Sequence, residues 1–141
     1  MKKLRKNVAG IDIGAKNIFV AIEDGTVKTF KTFTEDYNTC AHYLKQNSVE
    51  SVAMEATGNY WVILYMLLEQ FDFDVWLVDG RETKQVPGRK TDVKDCQWIQ
   101  QLHSYGLLNR CFTLDEEMKN LRSYNRIRED HIRSASMHIQ H

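Results

Sequence analysis

Four carboxylates stand where carboxylates are costly, and they bound the chemistry open to the chain. Asp12 lies between Ile11 and Ile13 in an apolar stretch, and a buried carboxylate without a partner is strongly unfavourable. Glu55 repeats the anomaly at the end of Val52-Ala53-Met54. Asp92 and Asp95 are three residues apart, a spacing that places both on one helix face, continued by Ile99 and Leu102. Each acid alone has a structural explanation. Asp12 can bond a loop or a helix N-terminus, and Glu55 can turn to water or pair with a base. Asp92 can be an N-cap and Asp95 a first-turn acid favoured by the helix dipole. Together they read differently, because clustered carboxylates repel unless cations sit among them. Oxygen-only ligands suit Mg²⁺ or Mn²⁺ rather than Zn²⁺. Two such ions, about 3.5–4 Å apart, clamp a phosphodiester undergoing in-line attack.

The elements that must position these acids follow from hydrophobic periodicity. Residues 8–14 and 17–23 read as strands, joined to a third at 26–33 through Asp24-Gly25, a hairpin signal in which both central positions want positive φ. Thr34 is a plausible N-cap, followed by Glu35 and Asp36 and by Tyr37, Cys40, Ala41 and Leu44 on one helical face. Residues 51–56 form a fourth strand, 60–71 a helix apolar nearly all round, and 73–78 a fifth strand. Residues 81–89 read as a polar, basic connector holding the only proline, and 91–105 as a helix. The expected fold class is α/β. It is a mixed five-stranded sheet of order 3-2-1-4-5 flanked by helices, with right-handed crossovers after strands 3 and 4. In that order strands 1 and 4 are neighbours, so Asp12 and Glu55 can face each other, with the last helix laying Asp92 and Asp95 over them.

Thr113-Leu-Asp-Glu116 matches a capping box opening a long charged helix. The expected organisation is a catalytic domain over residues 1–112 and the start of a coiled-coil-like helix over 113–141, whose pattern reaches His141 without a glycine cap, as if cut. Met118, Leu121, Tyr124 and Ile127 either make a dimer seam or belong to a helix frayed for want of its missing partner; the first reading gives an expected homo-oligomer through this helix.

Composition narrows the class. The chain has 141 residues, 43% hydrophobic and 27% charged, which argues against disorder. The longest apolar run, residues 61–68, is too short to span a bilayer. The basic N-terminus is followed by Asp12 and Lys16 rather than a clean apolar signal core, and Cys40, Cys96 and Cys111 form no CxxC pair. A cytoplasmic protein with reduced thiols and no membrane association is expected. Net charge is zero, but residues 1–80 carry −3 and residues 81–141 carry +3, so a nucleic-acid partner would engage the second half more strongly.

Three blocks in order, Gly10-Ile-Asp-Ile13, Glu55-Ala-Thr-Gly-Asn-Tyr-Trp61 and Lys90-Thr-Asp-Val-Lys-Asp95, resemble those of the DEDD transposases, insertion-sequence recombinases related to the Piv invertases. The resemblance spans residues 7–110. It implies a RuvC-like, RNase H-like domain in which Asp12, Glu55, Asp92 and Asp95 are the metal-binding and catalytic tetrad. It further implies Mg²⁺-dependent cleavage and transfer of DNA strands under guidance of a structured bridge RNA. A C-terminal domain carrying a serine nucleophile is also implied, and nothing in this chain matches it. Gly14 stands where many relatives have Ser, and Cys96 where a small residue, often Ala, is usual.

Lys16, Arg81, Lys84, Arg89, Lys90 and Lys94 are the candidate nucleic-acid contacts, the last five forming the densest basic cluster beside the acids. A solvated connector is the plainer reading of the same charges. Tyr60 and Trp61 either stack on a base or serve the core. The Thr57-Gly58 turn either needs a positive φ or offers N–H groups to a phosphate. The five histidines show no zinc spacing, and Cys96 reads as a small packing residue. Two other functions compete. One is a non-catalytic nucleic-acid-binding and oligomerisation module with the acids as caps. The other is an actin-like sugar kinase fragment suggested by Gly10-Ile-Asp-Ile-Gly14, although later nucleotide loops are not visible.

Overall fold

A computed structural model describes residues 2–111 apart from 57 and 59. The long helix, dimer seam and 113–141 boundary expected above lie outside the described residues. β1 (Val8–Ile13), β2 (Asn17–Ala21) and β3 (Val27–Lys31) form an antiparallel meander. α1 (Thr34–Gln46) leads to β4 (Ser51–Glu55), parallel to β1, and α2 (Trp61–Gln70) leads to β5 (Asp74–Val78), parallel to β4. The sheet order is β3-β2-β1-β4-β5, as the strand patterns predict. α3 (Gly80–Gln85) and α4 (Asp95–Ser104) complete the order.

Local chemistry accounts for the departures from the sequence reading. At the β2–β3 hairpin only Gly25 has positive φ, at 89°. Gly25 N–H donates to the Ile22 carbonyl and Ile22 N–H to the Thr26 carbonyl, so the turn takes ordinary φ at Glu23 and Asp24 and leaves the left-handed position to glycine. α1 is capped by extended Phe33, not Thr34, which is its first helical residue. The stretch read as connector begins with α3, because the Asp79 side chain accepts from Arg81 N–H at 2.9 Å and caps it. Gly58 does take a positive φ of 53°.

α4 crosses the sheet on one face, while α1 and α2 pack against each other and the other side of the sheet. Gly10 lets α4 lie almost on the backbone of β1: a Cβ there would come within 2.3 Å of Gln100 N and 2.4 Å of the Cys96 carbonyl oxygen. Gln100 adds a hydrogen bond to the Val8 carbonyl at 3.1 Å. Under α4, Ala53, Val78, Trp98, Ile99, Leu102 and Leu108 form a buried cluster. Strand alternation therefore puts Gly10 and Asp12 of β1, and Ala53 and Glu55 of β4, on the α4 face. Gly10→Ala drives a methyl into backbone that has no side chain to move aside. It is expected to destabilise the domain by about 3 kcal/mol, read by urea denaturation.

At the opposite end of the strands His103 is fully buried, its Nε2 2.7 Å from Ser51 Oγ, in contact with Trp76, and with Nδ1 unpartnered. Burial, with Arg5 and Arg110 nearby, lowers its pKa to about 4 against 6.5 in an open chain. The unfolded chain therefore takes up a proton at a pH where the folded one does not. The stability held above pH 6.5 is lost as pH falls toward 4. Between pH 7.5 and 5 unfolding is expected to become easier by about 2 kcal/mol, and His103→Gln should remove most of that slope in denaturant titrations.

Candidate active site

Asp12 sits near the C-terminal end of β1 and Glu55 ends β4. The last paired residues of the ladder, Ile11 with Met54, put the two acids side by side at the next step. Asp95 opens α4, which the contact at Gly10 holds against β1. Three acids distant in sequence thus share one end of the sheet. Their mutual influence is electrostatic as well as spatial. The Asp12 pKa is raised by burial and by the Asp95 charge, and opposed by Arg89 and Lys84. Glu55 is raised by burial and by Asp12 and Asp95, and opposed by a hydrogen bond from Thr83 and by the Lys84 charge.

Glu55 is held from a side that the sequence did not single out. Thr83 Oγ1 shares its one proton between Glu55 Oε1 at 3.0 Å and the Gly80 carbonyl at 2.8 Å, and Thr83 is 1% exposed. Its carbonyl accepts from Trp98 Nε1 at 2.8 Å, tying α3 to α4. Gly80 leaves room for the carboxylate, since a Cβ there would lie 3.2 Å from Glu55 Oε2. The signal for both residues was the Asp79 cap, which makes α3 a structured element rather than a loop.

Asp92 is placed elsewhere. α4 begins at Asp95 rather than at residue 91, so Asp92 and Asp95 do not share a helical face. The cause is local. Arg89 Nη2 donates to the Val93 carbonyl at 2.6 Å, using the acceptor that one more helical turn would need, and Val93 N–H turns back to the Lys90 carbonyl. Asp92 lines a separate cleft of about 480 Å³ with Lys3, Lys90, Gln97 and Gln101. A cleft of about 340 Å³ is lined by Asp12, Phe19, Arg89, Lys94, Asp95 and Cys96.

The basic residues divide in the same way. Lys84, Arg89 and Lys94 surround the acids, whereas Lys90 lines the Asp92 cleft. Arg81 pairs with Asp79 at 3.0 Å, and exposed Lys16 lies in the β1–β2 turn. Trp61 is core at 9% exposure and cannot stack on a base, while Tyr60 is 55% exposed. Cys96 is buried against Gly10, a packing residue.

The donor set of Asp12, Glu55 and Asp95 is all oxygen, which fits a hard divalent cation. The side chains are gathered but not closed around one point: among the described residues no three His, Cys, Asp or Glu are set to hold a single metal ion.

A family profile described as a transposase, of the IS110 DEDD type, matches residues 9–141. The chain belongs to that transposase family. Among solved structures, the chain is similar to Thermus thermophilus RuvC in complex with a Holliday junction substrate, with a TM-score of 0.54 and 13% identity, over 75% of this chain and 99% of that one. At that identity the likeness shows the fold, which is RuvC-like. No curated protein matches. Among the described residues no helix of this transposase-family chain is long and apolar enough to cross a membrane.

The raised pKa values give a sign that can be checked. A carboxyl whose pKa is higher folded than unfolded stabilises the fold while protonated, and that contribution is lost as pH rises through the raised value. At pH 7 without divalent ions, Asp12→Asn and Glu55→Gln are therefore each expected to raise the melting temperature by on the order of 2 °C, where removal of a stabilising acid would lower it.

Proposed function

We propose that this domain cleaves and transfers DNA strands as the catalytic part of an insertion-sequence recombinase, using divalent ions held by Asp12, Glu55 and Asp95 with Asp92 as the fourth ligand. The observation that carries the reading is the convergence of three acids from β1, β4 and α4 on one end of a RuvC-like sheet. Membership of a transposase family and the likeness to a RuvC bound to a Holliday junction make DNA the fitting substrate.

The chain's own residues divide the work. Glu55 is fixed by Thr83, so one carboxylate oxygen is oriented before substrate arrives. Asp12 and Asp95 present further oxygens to a cleft at the same end of the sheet. Lys84 and Lys94 beside the acids would neutralise the backbone phosphate that must approach them. Bound Mg²⁺ or Mn²⁺ would relieve the repulsion among the acids and stabilise the attacking and leaving oxygens at phosphorus. Because Asp12 and Glu55 are partly buried and raised in pKa, ion binding should release protons and tighten as pH rises.

In the whole protein the reaction would be guided by a structured RNA and carried out by a homo-oligomer. Support for the RNA comes from the three motif blocks alone, and support for the oligomer from the apolar pattern of residues 113–141.

Manganese titration of the chain separates this reading from a module whose acids are only caps. Wild type is expected to lose Mn²⁺ affinity as pH is lowered from neutrality into the raised carboxylate range of Asp12 and Glu55. Asp12→Asn or Glu55→Gln should weaken binding at least tenfold, whereas equal affinity in wild type and Glu55→Gln would leave the acids without a metal role.

A further inference from the structure

Arg89 is the one basic residue bonded directly to a member of the acid cluster among the described residues. Its Nη2 lies 2.8 Å from Asp95 Oδ1, and the same nitrogen donates to the Val93 carbonyl at 2.6 Å. The Arg89 side chain is 34% exposed, less than the 53% of Asp95. It lines the cleft with Asp12 and Asp95, and its charge opposes the rise in the Asp12 pKa. One guanidinium therefore offsets part of the acids' charge and straps the chain just before α4.

We propose that Arg89 is a built-in stand-in cation, a positioning residue that occupies the acid cluster before divalent ions enter and holds Asp92 outside it. The inference rests on the metal-site reading above and adds a conformational step to it. A divalent ion approaching Asp95 competes with the guanidinium for the same oxygen. Displacing Arg89 also frees the Val93 carbonyl, the acceptor that an extended α4 would use for Gln97 N–H. Residues 92–94 can then wind onto the helix. Asp92 comes to lie three positions before Asp95, on the face that already meets Asp12. Metal entry and arrival of the fourth acid become one event. The freed guanidinium remains beside the site, where a backbone phosphate is its natural partner.

A mere ligand-support role predicts weaker metal binding when Arg89 is removed, and the latch predicts the reverse. Mn²⁺ is titrated into the 141-residue chain, with free ion followed by electron paramagnetic resonance, in wild type, Arg89→Gln, Arg89→Lys, Lys84→Gln and Asp12→Asn, each checked for folding by thermal melting. Arg89→Gln is expected to bind at least threefold more tightly than wild type. Arg89→Lys should fall between the two. Lys84→Gln removes a nearby charge that makes no ion pair with the acids, and is expected to gain less than Arg89→Gln. Unchanged or weaker binding in Arg89→Gln overturns the latch, as does an equal gain in Lys84→Gln. In those cases the metal site stands if wild type binds and Asp12→Asn does not. Binding in none of the variants brings down both the site and the latch.

Discussion

The contact on which the site depends is made by an absent side chain. At Gly10 the backbone of α4 rests directly on β1, closer than any Cβ would permit. Close packing of this kind is stiff, because backbone cannot rotate out of the way as a side chain can. It fixes the start of α4 two residues along from Gly10 on the same strand face, where Asp12 stands. Glu55 reaches the same place through the parallel pairing of β1 with β4, and Thr83 then turns it inward. The acids meet because the backbone beneath them leaves no alternative.

That arrangement sets two demands against each other. Packing buries the carboxylates and brings them together, and burial first, then their mutual charge, raises the pKa values of Asp12 and Glu55. The protein resolves this internally. Lys84 and Arg89 supply positive charge, and the connector that carries Arg89 keeps Asp92 in a neighbouring cleft. An RNase H-like sheet is thus combined with an acid set that is drawn together but not assembled.

Much of this was legible in the sequence because alternation and burial are local properties. Asp12 between two isoleucines and Glu55 after an apolar triplet already announce buried strands, and short connections fix their order. The start of α4 was not legible. The spacing of Asp92 and Asp95 suits a helix, but α4 begins only at residue 95, where Lys94 N–H donates to Gln97 Oε1 and Arg89 holds the Val93 carbonyl, bonds that no periodicity reports. α3 was missed for a related reason. Five polar residues and a glycine carry no hydrophobic face, and only the Asp79 cap marks them. Thr83 followed α3 out of view, though it is the most directly bonded partner of Glu55.

The central claim, that these acids converge to share divalent ions, is tested most directly by the anomalous density of a Mn²⁺-loaded crystal. The account predicts a peak bounded by Asp12, Glu55 and Asp95, with Asp92 drawn in and Arg89 turned away from Asp95. A fully loaded crystal with manganese only at surface sites, and the Arg89–Asp95 pair intact, would contradict it.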